Sequence, residues 1–77
     1  MTLYLVEHFS GKGVRSYICE TLKGARIMVS IWRREDDRKA RITMLTGFCR
    51  TNSADDIRYI PMCKEIIEDI RFEVEQA

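Results

Sequence analysis

The chain has 77 residues, of which 45% are hydrophobic and 32% are charged, and its formal net charge is +1. This balance predicts a single globular domain over residues 1–77 and excludes a disordered chain. No apolar run approaches the ~18 residues of a membrane-spanning helix, and residues 1–9 lack the basic start and cleavage site of a signal peptide. We therefore expect a cytoplasmic protein without a membrane segment.

The charges are unevenly distributed along the chain. Residues 1–11 carry a net charge of −1. Residues 12–50 contain ten Lys or Arg and four acidic residues, which give a net charge of +6. Residues 51–77 contain three Lys or Arg and seven acidic residues, which give a net charge of −4. Arginine supplies nine of the thirteen cations. The guanidinium group stays charged and forms paired hydrogen bonds with carboxylates and phosphates, so the basic middle third is the most informative part of the sequence.

The first predicted element is a β-hairpin. Residues 2–9 and 14–20 alternate in the manner of strands, and the glycines at 11 and 13 favour a turn between them. If Phe9 faces Val14, the remaining cross-strand pairs agree with one another. The same register pairs Leu5 with Ile18, Val6 with Tyr17 and Tyr4 with Cys19. Both hairpin faces carry apolar residues, so we expect a sheet that is covered on both sides or that exposes one face to a partner.

The next segment, residues 21–35, fits either a helix or a strand. As a helix it begins at the N-cap Thr21 and separates an apolar side from a basic side. β-Branched residues at alternate positions and the presence of Gly24 favour the strand. We favour the helix, because a strand would place Arg33 on the apolar face.

The rest of the chain predicts a strand over 40–49, a polar loop over 50–56 and a short strand or helical turn over 57–60. Pro61 suits the first turn of a helix over 62–76. Its apolar positions recur at helical spacing and are Cys63, Ile66, Ile67, Ile70 and Val74. The expected fold is therefore α+β, a small antiparallel sheet packed with two helices in the order ββαβ(β)α. The alternative is a four-stranded antiparallel meander with one C-terminal helix.

The residue types that carry catalysis or bind metals are few. His8 is the only histidine, and no base lies in an arranged pair with a nucleophile. His8, Cys19, Cys49 and Cys63 are zinc-type ligands, but they lack the close pairs of structural zinc sites. Three cysteines without a secretion signal favour reduced, buried thiols, and the histidine is expected at the surface. We expect no enzymatic activity, no metal and no cofactor.

The basic residues of the middle third are the candidate binding site. A helix over 21–35 places several of them on one side, and further cations follow directly. The predicted partner-binding residues are Lys23, Arg26, Arg33, Arg34, Arg38, Lys39 and Arg41. The cluster could dock a protein, contact a nucleic-acid backbone or form a solvated face that the acidic C-terminal segment partly neutralises. Acidic residues at 35–37 interrupt it, and the pI of about 7.7 is below the ~9 typical of nucleic-acid binders. A protein is therefore expected ahead of a nucleic acid.

Three aromatic residues lie outside the main apolar patterns, namely Trp32, Tyr59 and Phe72. Burial in the core is the first expectation for each, and contact with a partner chain is the second. A chain of this length buries only about 60% of its unfolded surface, and such marginal cores are often completed by a partner subunit. A homodimer is therefore a third possible assembly.

The opening strand at Leu3, the glycine-rich hairpin and Glu-Thr-Leu-Lys-Gly-Ala-Arg at 20–26 leading into an amphipathic helix resemble small phage-encoded accessory proteins. The resemblance covers the architecture of residues 1–50 and carries no diagnostic residue, so it transfers no functional site. Proteins of that kind often bind and inhibit a host complex. The resemblance implies a stoichiometric binder of a host protein complex rather than an enzyme.

Overall fold

The computed structural model describes residues 1–53 and 56–72, which form four antiparallel strands and one helix. The strands β1 (Leu3–Ser10) and β2 (Gly13–Cys19) precede the helix α1 (Leu22–Ile31). Two long strands follow, β3 (Asp37–Ser53) and β4 (Asp56–Arg71). The strand order in the sheet is β2-β1-β3-β4, so the N-terminal strand lies between its own hairpin partner and the second hairpin.

The first hairpin is confirmed in position and register. Phe9 is paired with Val14 and Leu5 with Ile18, as the alternation predicted. Side chains of a strand alternate between faces, so Val6 and its cross-strand partners Tyr17 and Ile42 point toward α1, while Leu5 points to the opposite side of the sheet. One face is therefore covered by the helix, and no other described element covers the second face.

Residues 21–35 begin as the favoured helix, but the helix ends at Ile31 rather than at residue 35. Side chains from the sheet bind the carbonyl groups at this end. The His8 ring Nε2 lies 3.0 Å from the Val29 carbonyl oxygen, and Arg15 Nη2 donates to the Trp32 carbonyl at 3.2 Å. The last carbonyls of a helix have no partner within it, so these bonds satisfy them where the chain turns away.

The start of α1 depends on one side-chain hydrogen bond. The Thr21 hydroxyl accepts a bond from the Gly24 backbone N–H at 3.0 Å. We expect Thr21→Ala to lower the free energy of unfolding by about 1 kcal/mol, because that N–H loses its acceptor. Urea denaturation at one fixed protein concentration measures the loss. Thr21→Ser keeps the hydroxyl and should retain most of the stability; an equal loss in both variants would exclude capping as the cause.

The predicted second helix is wrong, and with it the expected arrangement of two helices on the sheet. Residues 56–71 form β4, and the predicted helix positions 73–76 lie outside the described residues. The helical spacing of its isoleucines reflects a β-bulge instead. Ile42 pairs with Glu68 but Thr43 pairs with Ile66, so Ile67 is an extra residue on β4. A bulge interrupts the two-residue alternation of a strand and here mimics a helical pattern.

The meander alternative is also wrong, because the sheet is not in sequential order and the described C-terminal residues are a strand. The predicted strand over 40–49 lies within β3. The predicted loop over 50–56 is wrong, because residues 50–53 belong to β3 and residue 56 begins β4; residues 54 and 55 lie outside the described residues. The extra pairing arises because β3 and β4 continue together for eight residues beyond the end of β1. The molecule is thus mostly β-sheet with one helix.

The core lies between α1 and the centre of the sheet. Its buried hydrophobic residues are Val6, Ala25, Val29, Ala40 and Ile42. His8 is fully buried beside them, which corrects the expectation of a surface histidine: the helix-end carbonyl provides the partner that a buried ring needs. The expectation of buried thiols is wrong for Cys49 and Cys63, which are exposed on the second hairpin. None of the described helices is long and apolar enough to cross a membrane.

Candidate protein-docking site

One end of the sheet collects most of the basic side chains of the molecule. The turn after β1, the loop after α1 and the outer ends of β3 and β4 meet there, because Ser10 pairs with both Gly13 and Asp37 and the Phe72 N–H donates to the Arg38 carbonyl at 2.9 Å. We call this region the basic end. Its cations are Lys12, Arg15, Arg33, Arg34, Arg38, Lys39 and Arg71.

A buried ion pair holds the loop of the basic end in place. Asp37 is fully buried, and its Oδ2 forms an ion pair with Arg15 and accepts the backbone N–H of Arg34 at 2.8 Å. Arg15 also binds the carbonyl of Trp32. One carboxylate and one guanidinium therefore connect β2, the end of α1 and the start of β3, which fixes the loop over residues 32–37.

The other cations of the basic end are exposed, apart from Lys39, which is half-buried. Among residues 1–53 and 56–72, Arg15 is the one member of this set that forms an ion pair. Two others rest on aromatic rings: the Arg33 guanidinium lies 4.1 Å from the centre of the Phe72 ring, and Lys39 Nζ lies 4.8 Å from that of Phe9. Contact with a ring face orients a cation while leaving its hydrogen-bond donors available.

Two exposed apolar residues, Ile31 and Trp32, directly precede Arg33 and Arg34 in the chain. Trp32 packs one part of its ring on Tyr17, with 4.9 Å between the ring centres, yet 44% of the residue remains exposed. Ile31, the last residue of α1, is 68% exposed. A tryptophan and an isoleucine bordered by arginines form a surface of the composition found at the centres of protein–protein interfaces.

A shallow cleft of about 220 Å³ opens beside the Trp32 loop. The hairpin turn forms one wall and the loop after α1 forms the other. Its charged lining residues are Lys12, Arg15, Arg34 and Asp36. Arg15 is neutralised by the buried Asp37, so Lys12 and Arg34 against Asp36 leave the cleft with a small net positive charge.

The structure brings together four of the seven sequence-predicted site residues, namely Arg33, Arg34, Arg38 and Lys39. Arg41 lies one row beyond Lys39 along β3, and its Nη2 forms an ion pair with Asp69 Oδ2 at 3.4 Å. Lys23 and Arg26 are on α1, away from the basic end, and Arg26 Nε donates to Glu68 at 2.6 Å. The predicted single basic helix face does not form, because Arg33 and Arg34 follow the end of the helix.

Sequence analysis missed Lys12, Arg15, Arg71 and Ile31 as members of this surface. The correctly predicted register of the first hairpin carried a signal for two of them, since it places Lys12 in the turn and Arg15 opposite His8. The missing information was that β3 starts beside that turn. Arg71 could not be placed while its segment was taken for a helix.

Within residues 1–53 and 56–72, no three His, Cys, Asp or Glu side chains are grouped so that they could hold a metal ion. No protein-family model, curated protein or solved structure matches the chain.

Proposed function

We propose that the protein is a small, non-enzymatic binding module whose basic end docks onto an acidic surface of another protein. The observation that carries the proposal is the exposure of Trp32 and Ile31 beside Arg33 and Arg34. The apolar pair supplies contact area, and the surrounding cations select a partner of opposite charge and speed its encounter. The buried Arg15–Asp37 pair supports the surface from below, so little ordering is needed on binding.

A protein partner fits this end better than a nucleic acid. Phosphates repeat along a line, and their binders present cations along a stripe or groove. The basic end instead carries cations on both sides of the sheet, with Arg33 over Phe72 on the helix side and Lys39 over Phe9 on the other. Glu35 and Asp36 lie in its loop, and Glu7 and Asp69 follow in the next row of the sheet. Mixed charge of this kind suits a partner that offers both acidic and basic side chains.

The mode of action that follows is stoichiometric. A module that covers an acidic surface on a host protein complex blocks whatever else binds there, without turnover. The resemblance to phage-encoded accessory proteins over residues 1–50 agrees with this role, and inhibition or modulation of a host complex is the form of it that we propose.

The test compares two variants that each lose two cations. Arg34→Ala/Arg38→Ala removes exposed charges from the basic end, and Lys23→Ala/Arg50→Ala removes exposed charges from α1 and the far part of β3. Each 77-residue chain is immobilised and used to capture proteins from nuclease-treated lysate of its native host. Captured proteins are then titrated in purified form. We expect the basic-end variant to weaken binding about tenfold or more and the control variant to bind as the unchanged chain does.

Two results would overturn the proposal. One is equal capture by both variants, which would place the contact elsewhere on the chain. The other is capture that occurs from untreated lysate but not from nuclease-treated lysate, together with salt-sensitive binding of a DNA or RNA duplex, which would identify a nucleic acid as the partner. Circular dichroism of both variants verifies that they are folded.

A further inference from the structure

The side of the sheet opposite α1 presents apolar residues to solvent. We call this side the open face and define it by Leu3, Leu5, Ile18 and Ile66. Ile18 is 56% exposed and Ile66 is 54% exposed. One row crosses the whole sheet: Ile18 on β2 pairs with Leu5 on β1, Leu5 pairs with Thr43 on β3, and Thr43 pairs with Ile66 on β4. The charged side chains of this face follow in the next row, where Arg41 lies between Glu7 and Asp69.

The second hairpin extends past the rest of the molecule. Pairing of β1 with β3 begins at Leu3 and Leu45, so residues 46–53 and 56–63 pair only with each other. We call this two-stranded extension the arm. Its described apolar side chains include Tyr59, Ile60 and Met62, all exposed. An isolated two-stranded ribbon is marginally stable in water, so contact with another surface would stabilise an arm of this composition.

The chain exposes more surface than a compact monomer of its mass. Its accessible area is 6020 Å², whereas a folded monomer of 9.1 kDa is expected to expose about 4,900 Å². An interface of standard size buries about 800 Å² on each partner, so a dimer contact of that size would bring the exposed area of each chain close to the expected value. The radius of gyration is 14.7 Å, against about 11.5 Å for a compact chain of this length.

We propose that two copies of the chain form a symmetric homodimer in which the arm of each copy lies across the open face of the other. The lengths match: the eight-residue strands of the arm and the eight-residue β1 each span about 26 Å. The partner is a second copy because one chain supplies both the arm and the open face. In a dimer with a two-fold axis, each arm contacts one open face and each open face is covered by one arm.

A glycine with a left-handed backbone lies near the base of the arm. Gly47 has a φ of +66°, which side-chain-bearing residues rarely adopt, and it is two residues beyond Leu45, the last β3 residue that pairs with β1. A Cβ atom there would make ordinary contacts, 3.5 Å from the Met62 Cβ and 3.8 Å from the Cys63 Sγ. The backbone conformation, and not a lack of space, therefore favours glycine at this position.

The first measurement is the mass of the unchanged chain by light scattering between 1 and 100 µM, on the order of the range where a standard interface dimerises. We expect a dimer of twice 9.1 kDa. A monomer throughout this range would overturn the inference. It would leave the basic-end proposal unaffected, because that surface lies at the opposite end of β3.

The second measurement uses one variant for each surface. Met62→Lys places a charge on the arm and Ile18→Lys places one on the open face, and both side chains are exposed in the single chain, so the fold is retained. Each variant should raise the dimer dissociation constant about tenfold or more. The matched control is Ile27→Lys, at an isoleucine of α1 that is 47% exposed; its dissociation constant should equal that of the unchanged chain.

Mixing the two interface variants tests the exchange itself. A heterodimer of Met62→Lys and Ile18→Lys contains one unaltered arm on one unaltered face, so it should bind more tightly than either variant binds itself. Native mass spectrometry distinguishes the three dimers by mass. Equal weakness of all three would indicate arm-to-arm and face-to-face contacts and would contradict the proposal. Weakening by the Ile27 control would place the interface on the helix and contradict it as well.

Discussion

Replacing Arg15 with alanine is expected to lower the free energy of unfolding by about 3 to 5 kcal/mol. The substitution leaves Asp37 fully buried with no cation beside it, and it removes the bond to the Trp32 carbonyl at the end of α1. Breaking one side of a buried ion pair is costly because the remaining charge keeps its desolvation penalty. Urea denaturation at a single protein concentration measures the loss.

The control removes both charges together. Arg15→Met/Asp37→Leu leaves no charge buried, so it should lower the free energy of unfolding by less than half as much as Arg15→Ala does. The remaining loss should arise mainly because the Arg34 N–H no longer has an acceptor. If the double variant is as unstable as the single one, the ion pair is not what stabilises the loop, and the packing of the arginine side chain is the cause instead.

The first hairpin could be predicted because its information is local. Alternation and two glycines specify a register in which Phe9 pairs with Val14, and the structure has that register. The start of α1 was equally local, since Thr21 and Gly24 are within one helical turn. The end of α1 was not, because it depends on His8 and Arg15 from the sheet.

The final strand was mistaken for a helix for a physical reason. The bulge at Ile67 places it and its neighbour Glu68 toward α1: Ile67 packs against the core, and Glu68 binds Arg26. This break in alternation produces the helical spacing from Ile66 to Ile70. Pairing with β3 along the 16 residues of β4 outweighs that local pattern. The periodicity of a segment gives no information about a pairing partner that is distant in sequence.

The candidate site was predicted in part for the same reason. Arg33, Arg34, Arg38 and Lys39 are close in sequence, so any compact fold keeps them near one another. Lys12 and Arg71 join them only because the sheet order places β3 between β1 and β4. The composition therefore predicts which segment is basic, and the strand pairing determines which cations lie near one another.

The small size of the core makes its largest member a sensitive position. Two of the five residues in the core cluster are alanines, and Ile42 is the largest fully buried side chain. It lies on the central part of β3, paired with Val6 on one side and Glu68 on the other. Shortening Ile42 would leave a cavity between the sheet and α1 that the surrounding side chains fill only in part.

Ile42→Ala is therefore expected to lower the free energy of unfolding by about 3 kcal/mol, from lost burial and from the cavity left beneath the helix. Chemical denaturation measures the change, with Ile42→Val expected to cost only about 1 kcal/mol. The matched control is Ile27→Ala, on the exposed side of α1, which should stay within about 0.5 kcal/mol of the unchanged chain. Equal losses at positions 42 and 27 would mean that α1 does not cover the β3 face as described, and the core between helix and sheet would have to be placed elsewhere.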